Sequence, residues 1–504
     1  MAELERENGS GQKGQKDSLK WWILFTVIIG TFLGRLDQTI VNLALPKIIN
    51  GFGITISSAG WIATAYILAN AIFVPIWGKL GDSIGRKKVY VLGFSIFIFG
   101  SVLAGLAWNL SSLIVFRVIQ AIASSADYPT AMAILAVTFK QGKERAQALG
   151  IWSSSFAAAS VFGPLIGGPL IDHFGWRSVF LVNLPIGVIG MLMAIYFINE
   201  SRSEIKIKFF DWWGAITLGV ALSALVLVLD QGPTWGWLSL SSILAYVVCV
   251  VFTYVFIQIE KRVPEPIVDL KFFKIPAFVN TLINNFIVFM GMMGGIFLIP
   301  IFAQTFLGYS ATQAGYLFIP MAVALMVGAP LGGSLVGRVP ARTVIFWSTL
   351  VAGVSIFFFS FLDPKSGAMA IMVPLAFMAF GLGFGMAQRT GIIASVVDQS
   401  EIGIASSVLA LVRNLSGAFG IALFATVLNL RTEHNILSIN SLSTLNSHIP
   451  LDIQKYIALV ILKSQIDAYD YVFLLASIVV VLGSFAVLFL KIEHERTDIK
   501  VHVE

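Results

Sequence analysis

The chain has 504 residues, of which 57% are hydrophobic and 12% charged, about half the charged share of an ordinary soluble domain. That composition excludes a soluble globular protein and describes a chain that crosses a membrane many times. The net charge of +6 does not describe a nucleic-acid surface, because the basic residues sit in short connections between apolar runs. A single cysteine, Cys249, inside an apolar run, excludes a disulfide framework.

Residues 1–19 are polar and of mixed charge, with no cleavable signal pattern, and are expected to form a disordered cytoplasmic arm. A helix needs about 20 apolar residues to cross the hydrocarbon core. By that rule fourteen spans are expected in an all-α integral membrane protein. Six run 20–44, 58–78, 89–107, 112–139, 145–169 and 176–198, within a bundle covering 20–198. Two more, 212–230 and 238–257, form an insert with flanking loops over 199–276. The last six run 277–304, 311–336, 342–362, 369–398, 402–430 and 470–491, within a second bundle covering 277–491. The polar stretch 431–469 is expected outside as a loop, with Ile453, Tyr456, Ile457, Val460 and Ile461 spaced for a short surface-lying helix; 492–504 is a cytoplasmic tail. Most of the 33 Lys and Arg residues fall on the side of the N-terminus. Both termini are therefore expected in the cytoplasm of a protein in the cell membrane.

An ionisable side chain inside the membrane costs at least ~2.5–3.5 kcal/mol on insertion scales, so each is a functional candidate. There are six: Arg35, Asp37, Arg117, Asp127, Arg389 and Arg413. On the first span Arg35, Gln38, Thr39 and Asn42 are spaced as one stripe and are expected to line an aqueous cavity. Asp37 lies on another face and is expected to meet Arg117 of the fourth span, each roughly 8–10 Å below the outer surface. A carboxylate that gains and loses a guanidinium partner as helices move loads and unloads a proton; a fixed structural ion pair is the alternative. Asp127 and Arg389 lie deeper. They are read either as a salt bridge closing the cytoplasmic side or, with Arg35 and Arg413, as a substrate cavity of mixed charge.

Between the second and third spans stands Gly78-Lys79-Leu80-Gly81-Asp82-Ser83-Ile84-Gly85-Arg86-Lys87-Lys88, a tight loop with glycines at 78 and 85, a capping acid at Asp82 and basic residues at 86 and 87. This pattern resembles the signature loop of the major facilitator superfamily. A degenerate echo, with Gly333, Leu335, Arg342 and Val344 standing for Gly78, Leu80, Lys87 and Val89, follows the tenth span, as two parallel repeats would produce. Arg117-Val-Ile-Gln120 resembles the superfamily's fourth-helix motif, with Ala121 in place of its glycine. Gly163-Pro164-Leu165-Ile166-Gly167-Gly168 resembles the antiporter motif, read either as a hinge for alternating access or as a packing seam. With Leu36 to Asn42 and Gly175 to Gly187, these stretches resemble the fourteen-helix drug:proton antiporter family, the EmrB/QacA-like proteins. The resemblance implies two six-helix bundles plus two inserted helices, a protonation role for Asp37, and export of amphipathic drugs in exchange for protons. Arg35, Asp127 and Arg389 depart from the family pattern.

The function expected is a proton-coupled multidrug or small-molecule efflux antiporter. The alternative is an exporter or translocase of a zwitterionic or anionic metabolite or lipid. An enzyme is not expected: no nucleotide loop is present, and no His or Cys is placed to serve as nucleophile, base or metal ligand. No metal and no cofactor are expected, the proton gradient being the energy source. The expected partners are a small amphipathic or zwitterionic substrate, protons and membrane lipids, with no nucleic acid, acting as a monomer.

Overall fold

The computed structural model describes residues 2–139, 143–201, 211–264, 266–335, 338–397, 402–441 and 450–489, without the side chains of 2–18 and of scattered positions elsewhere. Within these residues the chain is helical, with no strand. The first half comprises α1 (Ala2–Phe52), α2 (Ile56–Ile84), α3 (Arg86–Gly105), α4 (Leu110–Ser124), α5 (Asp127–Thr138), α6 (Lys143–Phe174), α7 (Ser178–Leu181) and α8 (Asn183–Phe197). Then come α9 (Trp212–Trp235) and α10 (Leu240–Glu260). The second half comprises α11 (Pro276–Thr305), α12 (Ala311–Tyr316), α13 (Ile319–Ser334), α14 (Ala341–Phe358), α15 (Ala368–Ser395), α16 (Ile402–Ser441) and α17 (Pro450–Ala486). Among the described residues, 13 helical stretches are long and apolar enough to cross a membrane. The stretch expected as the fifth span, now within α6, is not one of them, although its 32 residues extend about 48 Å at 1.5 Å each.

Three spans expected to be continuous are broken, each shortly before a proline. Pro129, Pro185 and Pro320 each lack the N–H that would bond four residues back, to Ser125, Leu181 and Tyr316. The helix breaks there, separating α4 from α5, α7 from α8, and α12 from α13. Two spans are longer than their apolar cores. Helix α16 runs to Ser441 and α17 begins at Pro450, so the stretch 431–469 is largely two helical extensions rather than a loop. They are tied by Asn435 Nδ2 donating to the Ser464 carbonyl at 3.2 Å, and the apolar positions from Ile453 to Ile461 belong to α17. Polar sequence hid this because a helix outside hydrocarbon needs no apolar surround. Helix α1 likewise extends back to Ala2, through the stretch expected as a disordered arm. The tail 492–504 lies outside the described residues.

The connection at Gly53 and the loop at Gly85, both glycines with positive φ (63° and 123°), mark opposite ends of the bundle. The halves share one apolar core toward the Gly53 end, where Ile40, Leu45 and Ile48 of α1 join Phe297 and Ile301 of α11, Ala314 of α12 and Ile421 of α16. Gln304 Nε2 of α11 also donates to the Leu43 carbonyl of α1 at 2.9 Å. Farther along, first-half residues such as Leu24, Phe139, Trp152 and Ile198 form a core of their own. The two halves are thus clamped at the Gly53 end. Helix α9 packs on both α2 and α16, one from each half, while α10 packs on α9. The contrast in burial is large: 17% of the α10 apolar window is buried against 78% for α11, so α10 is a peripheral helix facing outward.

Candidate functional site

Asp37 is fully buried in the first half, where α1, α3, α4 and α8 converge. Arg117 Nη1 donates to Asp37 Oδ2 and, at 2.7 Å, to Gln120 Oε1. Gln120 Nε2 and Asn183 Nδ2 both donate to Asp37 Oδ1 at 2.8 Å. Behind them Ser101 Oγ accepts from Asn183 (2.9 Å) and Gln120 (3.1 Å) and donates to the Phe180 carbonyl at 2.8 Å. The Arg117 guanidinium lies 3.9 Å over the Tyr66 ring, and the Tyr66 hydroxyl donates to Ser124 at 2.8 Å. Every donor around Asp37 suits an ionised carboxylate, and a buried ion pair needs such extra hydrogen bonds to offset desolvation. Gln120, Ser101 and Asn183 are partners the sequence does not assign. Asn183 is presented by the helix break before Pro185, so its position depends on that proline.

On α1, Arg35, Gln38, Thr39 and Asn42 are partly exposed whereas Leu36, Asp37, Ile40 and Val41 are buried. Arg35 Nη1 donates to Gln38 Oε1 at 3.0 Å. Thr39 differs from its expected cavity role. Its hydroxyl donates back to the Leu36 carbonyl at 3.0 Å, and its side chain fills the space that a Cβ at Gly163 would need. Thr39 is a packing residue between α1 and α6.

Asp127 stands at the α4–α5 break and accepts from Thr31 Oγ1 at 2.7 Å; that hydroxyl accepts in turn from Trp152 Nε1 at 2.8 Å. Oδ1 of Asp127 is shielded from solvent and lies beside the Tyr90 hydroxyl. It faces a cavity of about 30 Å³ lined by Gly30, Gly34, Tyr90, Gly93 and Ser124, room for about one water. Arg389, expected to face Asp127, does not. It is 2% exposed and held inside the second half, where Nε donates to Asn284 Oδ1 and Nη2 to Thr349 Oγ1, both at 2.9 Å. No Asp127–Arg389 ion pair exists among the described residues, so neither the proposed gate bridge nor a shared cavity site involves Arg389 in this conformation. The cause is helix orientation: Asn284 and Thr349 of α11 and α14 draw the guanidinium into the bundle. Arg413 on α16 is partly exposed, with its guanidinium 5.7 Å from the Phe289 ring centroid.

The signature loop is anchored by a residue outside the motif. Arg86 N donates to the Ser201 carbonyl (3.0 Å), Lys87 N to Glu200 Oε1 (3.1 Å) and Lys87 Nζ to the Ile195 carbonyl (2.6 Å). A Cβ on Gly85 would sit 2.5 Å from the Glu200 carboxylate. Gly78 packs on Pro129, 3.4 Å from where its Cβ would be, while the side chain of Asp82 lies outside the described residues. The motif Gly163–Gly168 has two faces. Gly163 and Gly167 admit Thr39 and Ile40 of α1, whereas Gly168 and Pro164 meet Thr312 and Gly315 at the start of the tenth span. Four residues on, Asp172 accepts from Ala311 N (3.1 Å), Thr312 N (3.0 Å) and Thr312 Oγ1 (2.7 Å), joining the halves at the Gly53 end.

Two helical bundles clamped at one end, with a polar stripe on α1 and a buried carboxylate–guanidinium network, have the architecture of a membrane transporter. Residues 27–421 match the family model of the Major Facilitator Superfamily, and the chain belongs to that family. It is 32% identical over 456 residues to the multidrug transporter protein MdtP of Bacillus subtilis, covering 90% of this chain and 83% of that one. It is 31% identical over 409 residues to the riboflavin transporter RibZ of Clostridioides difficile, covering 81% and 88%. In fold it matches a bacterial homologue of the human lysosomal transporter Spinster, solved inward-facing and unoccupied, with a TM-score of 0.67, 19% identity and coverage of 93% and 98%. The protein is a multi-span membrane transporter of small molecules rather than an enzyme.

Proposed function

We propose that the protein is a proton-coupled efflux antiporter for amphipathic small molecules, working by alternating access, with the Gly85 end in the cytoplasm. The observation carrying this reading is the burial of Asp37 against Arg117, Gln120 and Asn183 at the junction of four helices. Any relative movement of α1 and α4 separates the carboxylate from its guanidinium, and an unpartnered carboxylate in a dry site takes up a proton. The Gly53 end, clamped through Asp172 and the shared apolar core, is the external gate, and its closure leaves the substrate path open to the cytoplasm.

The test is transport in proteoliposomes under an imposed pH gradient, comparing the unaltered protein with Asp37→Asn. The expected result is that the variant keeps substrate exchange at equal pH and loses accumulation driven by the gradient. Gradient-driven accumulation by the variant at the unaltered rate would remove Asp37 from the coupling. A second reading, export of an anionic or zwitterionic metabolite by the same cycle, is favoured by the partly exposed arginines Arg35 and Arg413.

A further inference from the structure

We propose that a cavity at the Gly53 end, walled by both halves, binds an uncharged sugar group, and that its occupancy holds this end closed. The binding site stands apart from the transport path; its effect on export rests on the reading of the Gly53 end as the external gate.

The cavity measures about 330 Å³, inside the range of roughly 300–1,000 Å³ that small-molecule sites occupy. Asn50 of α1 and Thr55 before α2 wall it from the first half. Thr305 of α11, Asn429 of α16, and Gln465 and Tyr469 of α17 wall it from the second. Asn50, Thr55 and Thr305 are exposed and form its rim, whereas Tyr469 is 1% exposed and lies at its floor. The Asn435 bond to the Ser464 carbonyl holds α16 and α17 together beside it.

No Lys, Arg, His, Asp or Glu lines this cavity among the described residues. Charges nearby in sequence are engaged elsewhere: Lys463 pairs with Asp467 at 2.6 Å, and the Arg431 guanidinium lies 4.5 Å over the Tyr471 ring. A charged ligand therefore finds no counter-charge to offset its desolvation. The cavity offers carboxamides instead. Those of Asn50, Asn429 and Gln465 make no hydrogen bond to the described residues, and a carboxamide both donates and accepts. Hydroxyl groups do the same, so a ring bearing several of them matches these three side chains. The Tyr469 hydroxyl, buried at the floor, also lacks a partner among the described residues, and such a group gains from a ligand that reaches it. The Tyr469 and Phe306 rings meet edge to face, 5.6 Å between centroids, and supply an apolar surface for the C–H face of a sugar. Opening the Gly53 end parts Asn50 and Thr55 from the other four residues. A ligand touching both walls therefore binds the closed form more tightly and shifts the population toward it.

The probes are 4-methylumbelliferyl β-D-glucoside, the matching β-D-glucuronide, which adds one carboxylate, and 7-methoxy-4-methylcoumarin, which lacks the sugar. Binding of each is measured by fluorescence anisotropy to the full-length protein in nanodiscs of zwitterionic lipid. No pH gradient is present, so a failure of the antiport reading leaves this result untouched. The glucoside should bind most tightly, with the other two weaker by about tenfold. Asn429→Leu and Gln465→Leu should each weaken the glucoside by about fivefold to tenfold, the loss of roughly one hydrogen bond. Melting temperatures measured alongside separate lost binding from lost fold. If either variant unfolds, Thr305→Trp on the exposed rim serves, and should block the cavity. Repeating the titration with monoglucosyl diacylglycerol in the disc tells the sources of the sugar apart: competition assigns the site to a lipid headgroup, and its absence to a soluble glycoside. No glucoside binding, glucuronide or sugar-free coumarin binding as tightly, or glucoside affinity unchanged in folded variants would overturn the site. Closure is read from the distance between spin labels at Trp108 and Lys365, exposed positions at this end of opposite halves, in Asp172→Ala protein with Cys249 replaced by Ser. Saturating glucoside should shrink the long-distance population, and a population left undiminished would overturn the holding role.

Discussion

The Asp172 contact predicts how firmly the Gly53 end is held shut. Asp172→Ala removes three hydrogen bonds, two to backbone N–H groups of α12 and one to the Thr312 hydroxyl. A buried hydrogen bond to a charged group is worth about 1.5–3 kcal/mol, but Asp172 is exposed, and exposed charged contacts fall near 0.2–1 kcal/mol. At roughly 0.5 kcal/mol each, the three sum to about 1.5 kcal/mol, or roughly a tenfold gain in conformers open at this end. Burial alone raises the Asp172 carboxyl, but the hydrogen bonds from Thr312 and Ala311 outweigh it and hold it below the usual carboxylate range. With the pKa depressed in the closed form, the latch is fully present above the ordinary carboxylate value near ~4 and is lost only as pH falls through the lower closed-state value. Asp172 should therefore contribute no pH dependence between about pH 5 and 8. The assay is a pulsed electron–electron distance measurement between spin labels at Trp108 and Lys365, exposed positions at the Gly53 end of opposite halves, with Cys249 replaced by Ser. The alanine variant should show a larger long-distance population. A distribution identical to that of the unaltered protein would refute the latch.

Gly163→Ala drives a methyl into Thr39 and should lower the melting temperature and the transport rate together, with Thr39→Ala restoring part of both; full activity of the single variant would show that the α1–α6 seam tolerates spreading. Gly85→Ala places a side chain at φ 123° against Glu200 and should destabilise by more than ~1 kcal/mol. Thermal melting checks it, and Glu200→Ala should not rescue it fully, because the backbone strain persists. Arg389→Gln breaks the contacts to Asn284 and Thr349 and should lower the melting temperature. A melting temperature equal to that of the unaltered protein would refute this structural role for Arg389.

Much of the architecture was legible because the membrane imposes it. Backbone groups in hydrocarbon must bond within their own helix, so apolar length alone reports a span. Where the solvent changes, that rule lapses. Helices α16 and α17 run on beyond their apolar cores; the extension from Arg431 to Ser441 carried no hydropathy signal, and the one from Pro450 to Asp467 showed only the helical spacing of Ile453 to Ile461, which read as a separate surface helix. The breaks before Pro129, Pro185 and Pro320 were not legible in the same way, because Pro46, Pro164, Pro300 and Pro374 remove the same backbone bond inside helices that stay unbroken.

The Asp37–Arg117 pair was within reach for a related reason. Depth along a helix follows from counting residues, and two opposite charges at similar depth have little else to bind. Counting also placed Asp127 and Arg389 deep in the membrane, but depth says nothing of azimuth. Arg389 turned toward Asn284 and Thr349 because those amides and hydroxyls, far away in sequence, satisfy a buried guanidinium where Asp127 does not reach. Glu200 behind the signature loop and Asp172 at the start of α12 came to light only when helices distant in the chain packed together. The sequence by itself determined that the chain crosses a membrane repeatedly as helices and which charges lie within the apolar stretches. Only the tertiary structure decided which partner each charge took, because hydrogen bonding depends on direction over a few ångströms and a one-dimensional pattern carries no direction.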